Sequence, residues 1–300
     1  MISLFQGIAT VVGCVVLQQP LSTCLPAGLQ TPPAEPVSQQ TAPALPKKTG
    51  GAIDVDLTAQ SALVWDIATD TVLYERNADA ERPIASLNKL LSTVVARSLI
   101  SPDTIVTIPK DVIKAQHEGV GIKLIPGEHV AARDLFEASL IPSANDAMVS
   151  LAVATKGSES DFVNYANTYA ASHGLFNTLL ANSTGLEEGT QHSTARDVMH
   201  MLMNAYNDSF LRPFLSQQKG EIFSLEGNKH VFVTTDKLLG TYLPILAAKT
   251  GYTLAAKENL AIITTGPKGQ KIGAVILGSD DRFQDMKTVV EYIYRNYTWP

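Results

Sequence analysis

Cysteine and positive charge are both scarce in this sequence of 300 residues. The two cysteines, Cys14 and Cys24, lie near the N-terminus, so the rest of the chain contains no disulfide framework. The formal net charge is −6 at pH 7, and no cluster of Lys and Arg forms a basic patch. We therefore expect no nucleic-acid partner. A body without cysteine is compatible with an exported protein.

Two hydrolase signatures are also missing. The six histidines include no His-Glu-x-x-His zinc pattern, because His117-Glu118 leads only into Gly119. No Gly-x-Ser-x-Gly elbow occurs, which argues against a Ser-His-Asp hydrolase. We accordingly expect neither a metal ion nor any other cofactor.

The first 52 residues differ in composition from the rest of the chain. Residues 1–18 are uncharged and mostly apolar, so residues 1–24 are predicted to be a signal peptide or a membrane anchor. Val11-Val12-Gly13-Cys14 is similar to a lipoprotein cleavage box, which would place a lipid on Cys14. Residues 25–52 are rich in proline and predict an extended linker. The folded body is predicted to cover residues 53–298.

The folded body has strand-like segments at both ends and helical segments between them. A hairpin is predicted over residues 61–75 and a final helix over Asp285–Tyr297. These patterns predict an α/β (α+β) fold, in which both termini form one antiparallel sheet flanked by helices, with an inserted, mainly helical subdomain. The predicted inner helices are Ala131–Ile141, Asp146–Thr155, Glu159–His173 and Thr194–Tyr206, and the predicted later strands are Glu221–Leu225, His230–Thr234, Ala247–Lys249, Leu260–Thr265 and Lys271–Leu277.

A serine and a lysine lie three residues apart in a segment that is predicted to be a buried helix. The helix is expected to begin near Pro83, so that Ser86 falls in its first turn and Lys89 lies on the same face. A serine hydroxyl becomes a good nucleophile when a neighbouring base takes its proton. Lysine can be that base if desolvation or another cation lowers its pKa. Ser216-Gln217-Gln218-Lys219 has the same spacing, so the pattern alone is weak.

Two later motifs make the pattern specific. Ser143-Ala144-Asn145 lies at a predicted helix start, 57 residues after Ser86, and offers a second hydroxyl and an amide. Lys249-Thr250-Gly251 lies on a predicted strand, 106 residues after Ser143, where an extended peptide can pair with the main chain. A second Lys-Thr-Gly, at residues 48–50, falls in the predicted linker. The order and context of the three motifs are the signature of active-site-serine enzymes that recognise penicillin.

On these motifs the chain resembles the low-molecular-weight penicillin-binding proteins, the D-alanyl-D-alanine carboxypeptidases, over roughly residues 53–298. The resemblance implies a β-lactamase/transpeptidase-like fold, with Ser86 as the nucleophile and Lys89 as its base. Ser143 would shuttle a proton, and Asn145 would orient the substrate carbonyl or the lysine amine. The implied reaction removes the terminal D-alanine from peptidoglycan stem peptides through an acyl-enzyme on Ser86, and β-lactams would acylate the same serine.

The resemblance also implies a substrate-binding strand. Lys249, Thr250 and Gly251 would bind the peptide, and the backbone N–H groups of Ser86 and Tyr252 would form the oxyanion hole. Many relatives have an arginine that binds the terminal carboxylate, and Lys271 is the residue expected to take its place here. An Asn-rich stretch of the relatives is replaced by Thr234-Thr235-Asp236-Lys237.

Two alternatives remain open on the sequence alone. A class A-like β-lactamase would share the fold and motif order, but the Glu-x-x-Leu-Asn pentapeptide of those enzymes is absent between Asn145 and Lys249. A catalytically silent peptidoglycan-binding scaffold would have no need of the complete set of motifs.

The expected location is the outer side of the bacterial cytoplasmic membrane, with any attachment made by the N-terminal segment. Carboxypeptidase and endopeptidase action are not distinguished.

Overall fold

The computed structural model describes residues 43–49 and 55–300, which lie in the unit Pro43–Pro300. The predictions for residues 1–24, including Cys14, and for most of the linker fall outside the described residues. Within the described ranges, no helix combines the length and the apolar character needed to cross a bilayer.

The described chain contains eleven strands and seven α-helices. In chain order the strands are β1 (Lys47–Lys48), β2 (Ser61–Asp66), β3 (Thr71–Arg76), β4 (Ile105–Thr107), β5 (His129–Ala131), β6 (Lys219–Phe223), β7 (Lys229–Val233), β8 (Ile245–Thr253), β9 (Lys257–Thr265), β10 (Lys271–Ser279) and β11 (Tyr297–Thr298). The helices are α1 (Asn88–Leu99), α2 (Val112–His117), α3 (Ala132–Leu140), α4 (Asn145–Lys156), α5 (Glu159–Ser172), α6 (Ala195–Asn207) and α7 (Arg282–Asn296).

A five-stranded antiparallel sheet forms the centre of the fold, with the strand order β3-β2-β10-β9-β8. The N-terminal hairpin joins the C-terminal strands because β2 pairs with β10, for example Val64 with Ala274. This confirms the predicted sheet made by both ends of the folded body. Strand β8 lies at one edge and pairs with β9.

The two faces of the sheet bury different sets of side chains, as the alternation of a strand requires. Leu63 and Val275 face a core that includes α1 and α3–α6. Val64 and Ile276 face the opposite side, where they pack with Met286 and other apolar residues of α7. The inserted helical subdomain therefore lies against one face, and the C-terminal helix lies against the other.

The predicted inner helices agree with α3 to α6 within about one residue at each end. Thr194 is the N-cap of α6, and its side chain accepts a hydrogen bond from the Asp197 N–H. The sequence pattern does not predict α2, β4 or β5, because these elements are too short to show a clear period.

Two predicted boundaries need correction. The linker was expected to reach residue 52, but Lys47–Lys48 pairs with Tyr297–Thr298 and therefore belongs to the folded body. The last helix begins at Arg282, three residues before its predicted start, because Asp281 caps it by accepting the Gln284 N–H. Because α7 begins earlier than predicted, Arg282 lies in its first turn.

Candidate active site

Ser86 lies in a short turn that leads directly into a buried helix. Residues Ala85–Leu87 form a 3₁₀ turn, and α1 follows from Asn88. The α-helix begins five residues after Pro83, the predicted start, but the serine still precedes the lysine by nearly one turn. Lys89 Nζ lies 3.0 Å from Ser86 Oγ. The predicted pairing of these two side chains is therefore present.

Lys89 is surrounded by acceptors and shielded from water. Its Nζ donates to Asn145 Oδ1 at 2.7 Å and to the Thr184 carbonyl at 2.8 Å. The side chain is 0% exposed. Burial lowers the pKa of Lys89 well below its usual value, the charge of Lys249 lowers it further, and Asp146 and Glu159 oppose the shift. A neutral amine that donates to the two oxygens keeps its lone pair for the Ser86 hydroxyl proton.

The Ser143 motif lies at the start of α4, as predicted. Ser143 has a φ of +68°, a left-handed backbone conformation that is uncommon for a side chain other than glycine. Its Oγ accepts a hydrogen bond from Lys249 Nζ at 2.7 Å. Because Asn145 accepts from Lys89, the motif contacts both buried lysines.

Strand β8 brings the third motif against the Ser86 turn. A Cβ placed on Gly251 would lie 2.6 Å from the Ile84 carbonyl oxygen and 3.2 Å from the Ser86 nitrogen. Only glycine permits so close an approach. The contact places the backbone at Gly251 and Tyr252 beside the turn that carries the serine.

A second loop closes on the same turn. Gly185 has a φ of +86°, and a Cβ at this position would collide with the Ala85 carbonyl. The loop also supplies the Thr184 carbonyl that accepts from Lys89. Asn182 Oδ1 accepts the N–H groups of Thr184 and Gly185, which holds the loop in shape.

Lys249 is almost as deeply buried as Lys89, since it is 2% exposed. Its Nζ donates to Ser143 Oγ and to the Thr250 carbonyl, the latter at 3.1 Å. Burial lowers the pKa of Lys249 to about 7, the charge of Arg282 lowers it, and the charge of Asp236 raises it. The lysine therefore titrates near neutral pH.

The structure does not bring Lys271 to this site. Lys271 pairs with Thr265 at one end of β10, whereas Ser279 pairs with Glu258 at the end near Tyr252. Eight residues of extended strand separate Lys271 from Ser279, a distance of about 26 Å. The prediction that Lys271 binds the substrate is therefore wrong, because the sheet register places it at the opposite end.

Arg282 is the cation that the sequence analysis missed. It lies at the start of α7, and its Nη1 donates to the Gly251 carbonyl at 2.9 Å. The side chain is 12% exposed, and Nε lies 4.0 Å from Glu258 Oε2. The signal in the sequence was the Asp280-Asp281 pair, which marks a helix start just after the last strand.

A cleft of about 1000 Å³ opens above these groups. Ser86, Ser143, Asn145 and Tyr252 line it, and Lys89 and Lys249 lie beneath. Its lining also carries five carboxylates and one lysine: Asp111, Lys114, Glu118, Glu159, Glu187 and Glu188. The cleft thus combines a nucleophile with a mostly acidic lining.

Comparisons with known proteins agree with this geometry. The sequence model of the family described as D-alanyl-D-alanine carboxypeptidase matches residues 47–281. The chain is 28% identical over 247 residues to the D-alanyl-D-alanine carboxypeptidase DacF of Bacillus subtilis, covering 80% of this chain and 63% of that protein. It is 33% identical over 227 residues to a D-alanyl-D-alanine endopeptidase of Pseudomonas aeruginosa, covering 73% of this chain and 71% of the relative.

Solved structures show the same similarity in three dimensions. A single-residue variant of the Streptomyces K15 DD-transpeptidase superposes with a TM-score of 0.74 at 25% identity, covering 81% of this chain and 100% of that one. The fold and the sequence lead to the same assignment. The chain belongs to the D-alanyl-D-alanine carboxypeptidase family, peptidase family S11.

Proposed function

We propose that this chain is a serine D-Ala-D-Ala carboxypeptidase that trims peptidoglycan stem peptides outside the cytoplasm. The observation that carries the proposal is the buried amine of Lys89, which lies 3.0 Å from the Ser86 hydroxyl and has a lowered pKa. Family membership supplies the substrate class. The chain spans 63% of the length of the Bacillus subtilis relative, so the activity is proposed here for the folded body of this chain.

The first step forms an ester on Ser86. Lys89 takes the hydroxyl proton while Oγ attacks the carbonyl carbon of the penultimate D-alanine. We expect the N–H groups of Ser86 and Tyr252 to stabilise the negative charge that develops on the carbonyl oxygen, because β8 approaches the Ser86 turn closely at Gly251. Substrate held in an extended form along β8 would place its carbonyl at this point.

The next steps release D-alanine and then the shortened peptide. Ser143, oriented by Lys249, gives its hydroxyl proton to the leaving nitrogen and takes up the proton that Lys89 removed from Ser86, and the C–N bond breaks. Lys89, now neutral again, takes a proton from the water that attacks the ester carbonyl. It gives that proton to Ser86 Oγ as the ester bond breaks, which releases the shortened peptide with a new carboxyl group and restores Ser86.

Arg282 and Thr250 are proposed to bind the terminal carboxylate in place of Lys271. Arg282 reaches the Gly251 carbonyl, and the Thr250 hydroxyl contacts that of Thr235 on the neighbouring loop. A guanidinium recognises a carboxylate through two parallel hydrogen bonds. A site for a free terminal carboxylate favours carboxypeptidase action over the endopeptidase action named for the Pseudomonas aeruginosa relative.

The test is the intact mass of the full chain after incubation with benzylpenicillin. A persistent adduct is expected on the wild type and on Ser216→Ala, the matched control from the second Ser-x-x-Lys pattern, but not on Ser86→Ala. Release of D-alanine from a stem pentapeptide should follow the same order. Rapid antibiotic turnover without an adduct would indicate a β-lactamase, and neither adduct nor turnover would indicate a scaffold.

A further inference from the structure

Glu159 is the first residue of α5 and lines the cleft, but the reaction steps above do not use it. Its Oε1 accepts two hydrogen bonds from Ser183, one from the N–H at 2.9 Å and one from the hydroxyl at 2.5 Å. Ser183 is 0% exposed, so both of its donors need an acceptor within the protein. The carboxylate of Glu159 therefore holds Ser183 both by its side chain and by its backbone.

Ser183 precedes Thr184, whose carbonyl oxygen contacts both reacting side chains. Lys89 Nζ donates to this oxygen at 2.8 Å, and the Ser86 hydroxyl lies 3.4 Å from it. The direction of the Lys89 amine toward Ser86 therefore depends on where the Thr184 carbonyl lies. Two hydrogen bonds and a short stretch of backbone connect that carbonyl to the Glu159 carboxylate.

Other contacts hold the two ends of this loop. Asn88, at the start of α1, donates from Nδ2 to the Asn182 carbonyl at 2.9 Å. Asn182 Oδ1 in turn accepts the N–H of Gly185 at 2.7 Å. These bonds fix the ends of the segment 182–185, and the contact with Glu159 fixes its middle. The loop is thus held by α1, by α5 and by one of its own side chains.

The first turn of α5 contains a second acidic residue that has a different role. Ser158 is the N-cap of the helix, and its side chain accepts the N–H of Asp161. Asp161 is exposed, and its negative charge interacts favourably with the positive end of the helix. Its Oδ2 accepts a hydrogen bond from the Ser158 hydroxyl at 2.8 Å. Asp161 thus stabilises the helix end, whereas Glu159 contacts the loop that reaches the catalytic lysine.

We propose that Glu159 is a positioning residue for the catalytic base. It acts through Ser183 on the Thr184 carbonyl, and that carbonyl directs the Lys89 amine toward the Ser86 hydroxyl. The proposal rests on the proposed function, in which Lys89 is the base. A displacement of about 1 Å at a reacting group can slow a reaction about 10²-fold. Loss of the acceptor on Glu159 should therefore slow the acylation step and change the initial binding of the antibiotic by little.

The experiment measures acylation of the full chain by a fluorescent penicillin over a range of concentrations. This separates the acylation rate constant from the dissociation constant of the initial complex. Glu159→Ala removes the acceptor and should lower the rate constant about 10- to 100-fold, with the dissociation constant within about threefold of the wild type. Glu159→Gln keeps an oxygen that can accept both hydrogen bonds, so its rate constant should stay within about threefold of the wild type.

Asp161→Ala is the matched control, because it removes an acidic residue from the same helical turn and leaves the contact with Ser183 in place. It should keep the wild-type rate constant. Ser183→Ala removes one of the two bonds and should show a smaller loss; it replaces Glu159→Ala if that variant does not fold. An unchanged rate constant in Glu159→Ala, or an equal loss in Glu159→Gln or in Asp161→Ala, would overturn the proposal, because the acceptor on Glu159 would then not be what matters.

A second measurement does not depend on activity. Amide hydrogen exchange of residues 182–186 reports how often the loop opens locally. Exchange in this segment should be at least about tenfold faster in Glu159→Ala than in the wild type, and unchanged in Glu159→Gln and Asp161→Ala. If penicillin fails to label the wild type, the proposed function is wrong, and the exchange rates then decide whether Glu159 holds the loop. Equal exchange in all four proteins would show that it does not.

Discussion

The floor and the wall of the cleft differ in charge and in exposure to water: the floor is basic and buried, and the wall is acidic and exposed. We define the floor as Lys89, Lys249 and Arg282, and the wall as the exposed carboxylates Asp111, Glu118, Glu187 and Glu188. The two lysines of the floor are at most 2% exposed, and burial lowers the pKa of each floor residue. The floor therefore holds three basic groups whose pKa values are lowered by burial, and the wall holds four carboxylates that water screens.

This difference determines what each region can contribute. A buried charge interacts strongly with its neighbours and with a bound substrate, because little water lies between them. An exposed charge steers a ligand toward the cleft but changes its binding by little, especially in salt. Removing a floor residue should therefore have a large effect, and removing a wall residue a small one.

The largest effect is expected at Lys89. Lys89→Ala removes the base beside Ser86 and should slow acylation by benzylpenicillin about 10³-fold, within the range for general base catalysis. Lys219→Ala, in the second Ser-x-x-Lys pattern, lies on the exposed strand β6 and should retain the wild-type rate. Stopped-flow or gel-based acylation rates measure both. Similar rates for both variants would remove Lys89 from its proposed role.

A methyl group at Gly185, in the loop that packs against the Ser86 turn, should destabilise the fold. Gly185→Ala would bring Cβ against the Ala85 carbonyl at a φ of +86°, and should lower the free energy of unfolding by about 3 kcal/mol. Gly189 on the same loop also has a positive φ, +55°, but nothing lies near its missing Cβ. Gly189→Ala should therefore cost only about 1 kcal/mol. Urea unfolding provides the comparison, and equal losses would contradict the close approach.

A smaller effect is expected at Arg282, the outermost cation of the floor. Arg282→Gln should reduce kcat/KM for a peptide with a free D-alanine carboxylate by about 10- to 100-fold, since a hydrogen bond to a charged group contributes about 1.5–3 kcal/mol. Cleavage of the same peptide with an amidated C-terminus should change little. Lys271→Gln is the matched control and should behave as the wild type. A loss of kcat/KM confined to Lys271→Gln would instead support the prediction from the sequence that Lys271 binds the terminal carboxylate.

The smallest effect is expected at the wall. Glu118→Gln should raise KM about two- to threefold for a stem peptide with a free side-chain amine at its third residue, and not for the acetylated peptide. The difference should disappear at about 0.5 M salt, because screening is then nearly complete. Glu221→Gln, on the hairpin outside the cleft, serves as the control. An effect that persists in salt would mean that the wall binds the substrate by direct contact.

Much of the fold and part of the site could be predicted from local patterns. Helices α3 to α6 follow from apolar periodicity, and the hairpin of β2 and β3 follows from two strand-like runs around a short turn. The spacing of Ser86 and Lys89 is enough to place both on one helical face. In each case the signal lies within one turn or one strand, where the backbone geometry is known in advance.

The remaining features depend on contacts between distant segments. Lys271 and Arg282 are eleven positions apart, and only the register of β10 with β9 decides that the second lies near Gly251. The contact of Glu159 with Ser183 and the role of the Thr184 carbonyl likewise depend on separate segments that the fold brings together.

The order and identity of the reactive groups are thus properties of the chain, because a hydroxyl, an amine and a glycine are chemically specified by residue type. Their reactivity comes from tertiary structure. An exposed lysine would have an ordinary pKa, and packing alone removes the water from Lys89 and Lys249 and brings in the charge of Arg282, which lowers the pKa of Lys249 further. Desolvation and charge proximity act through space, so they cannot be obtained from spacing along the sequence.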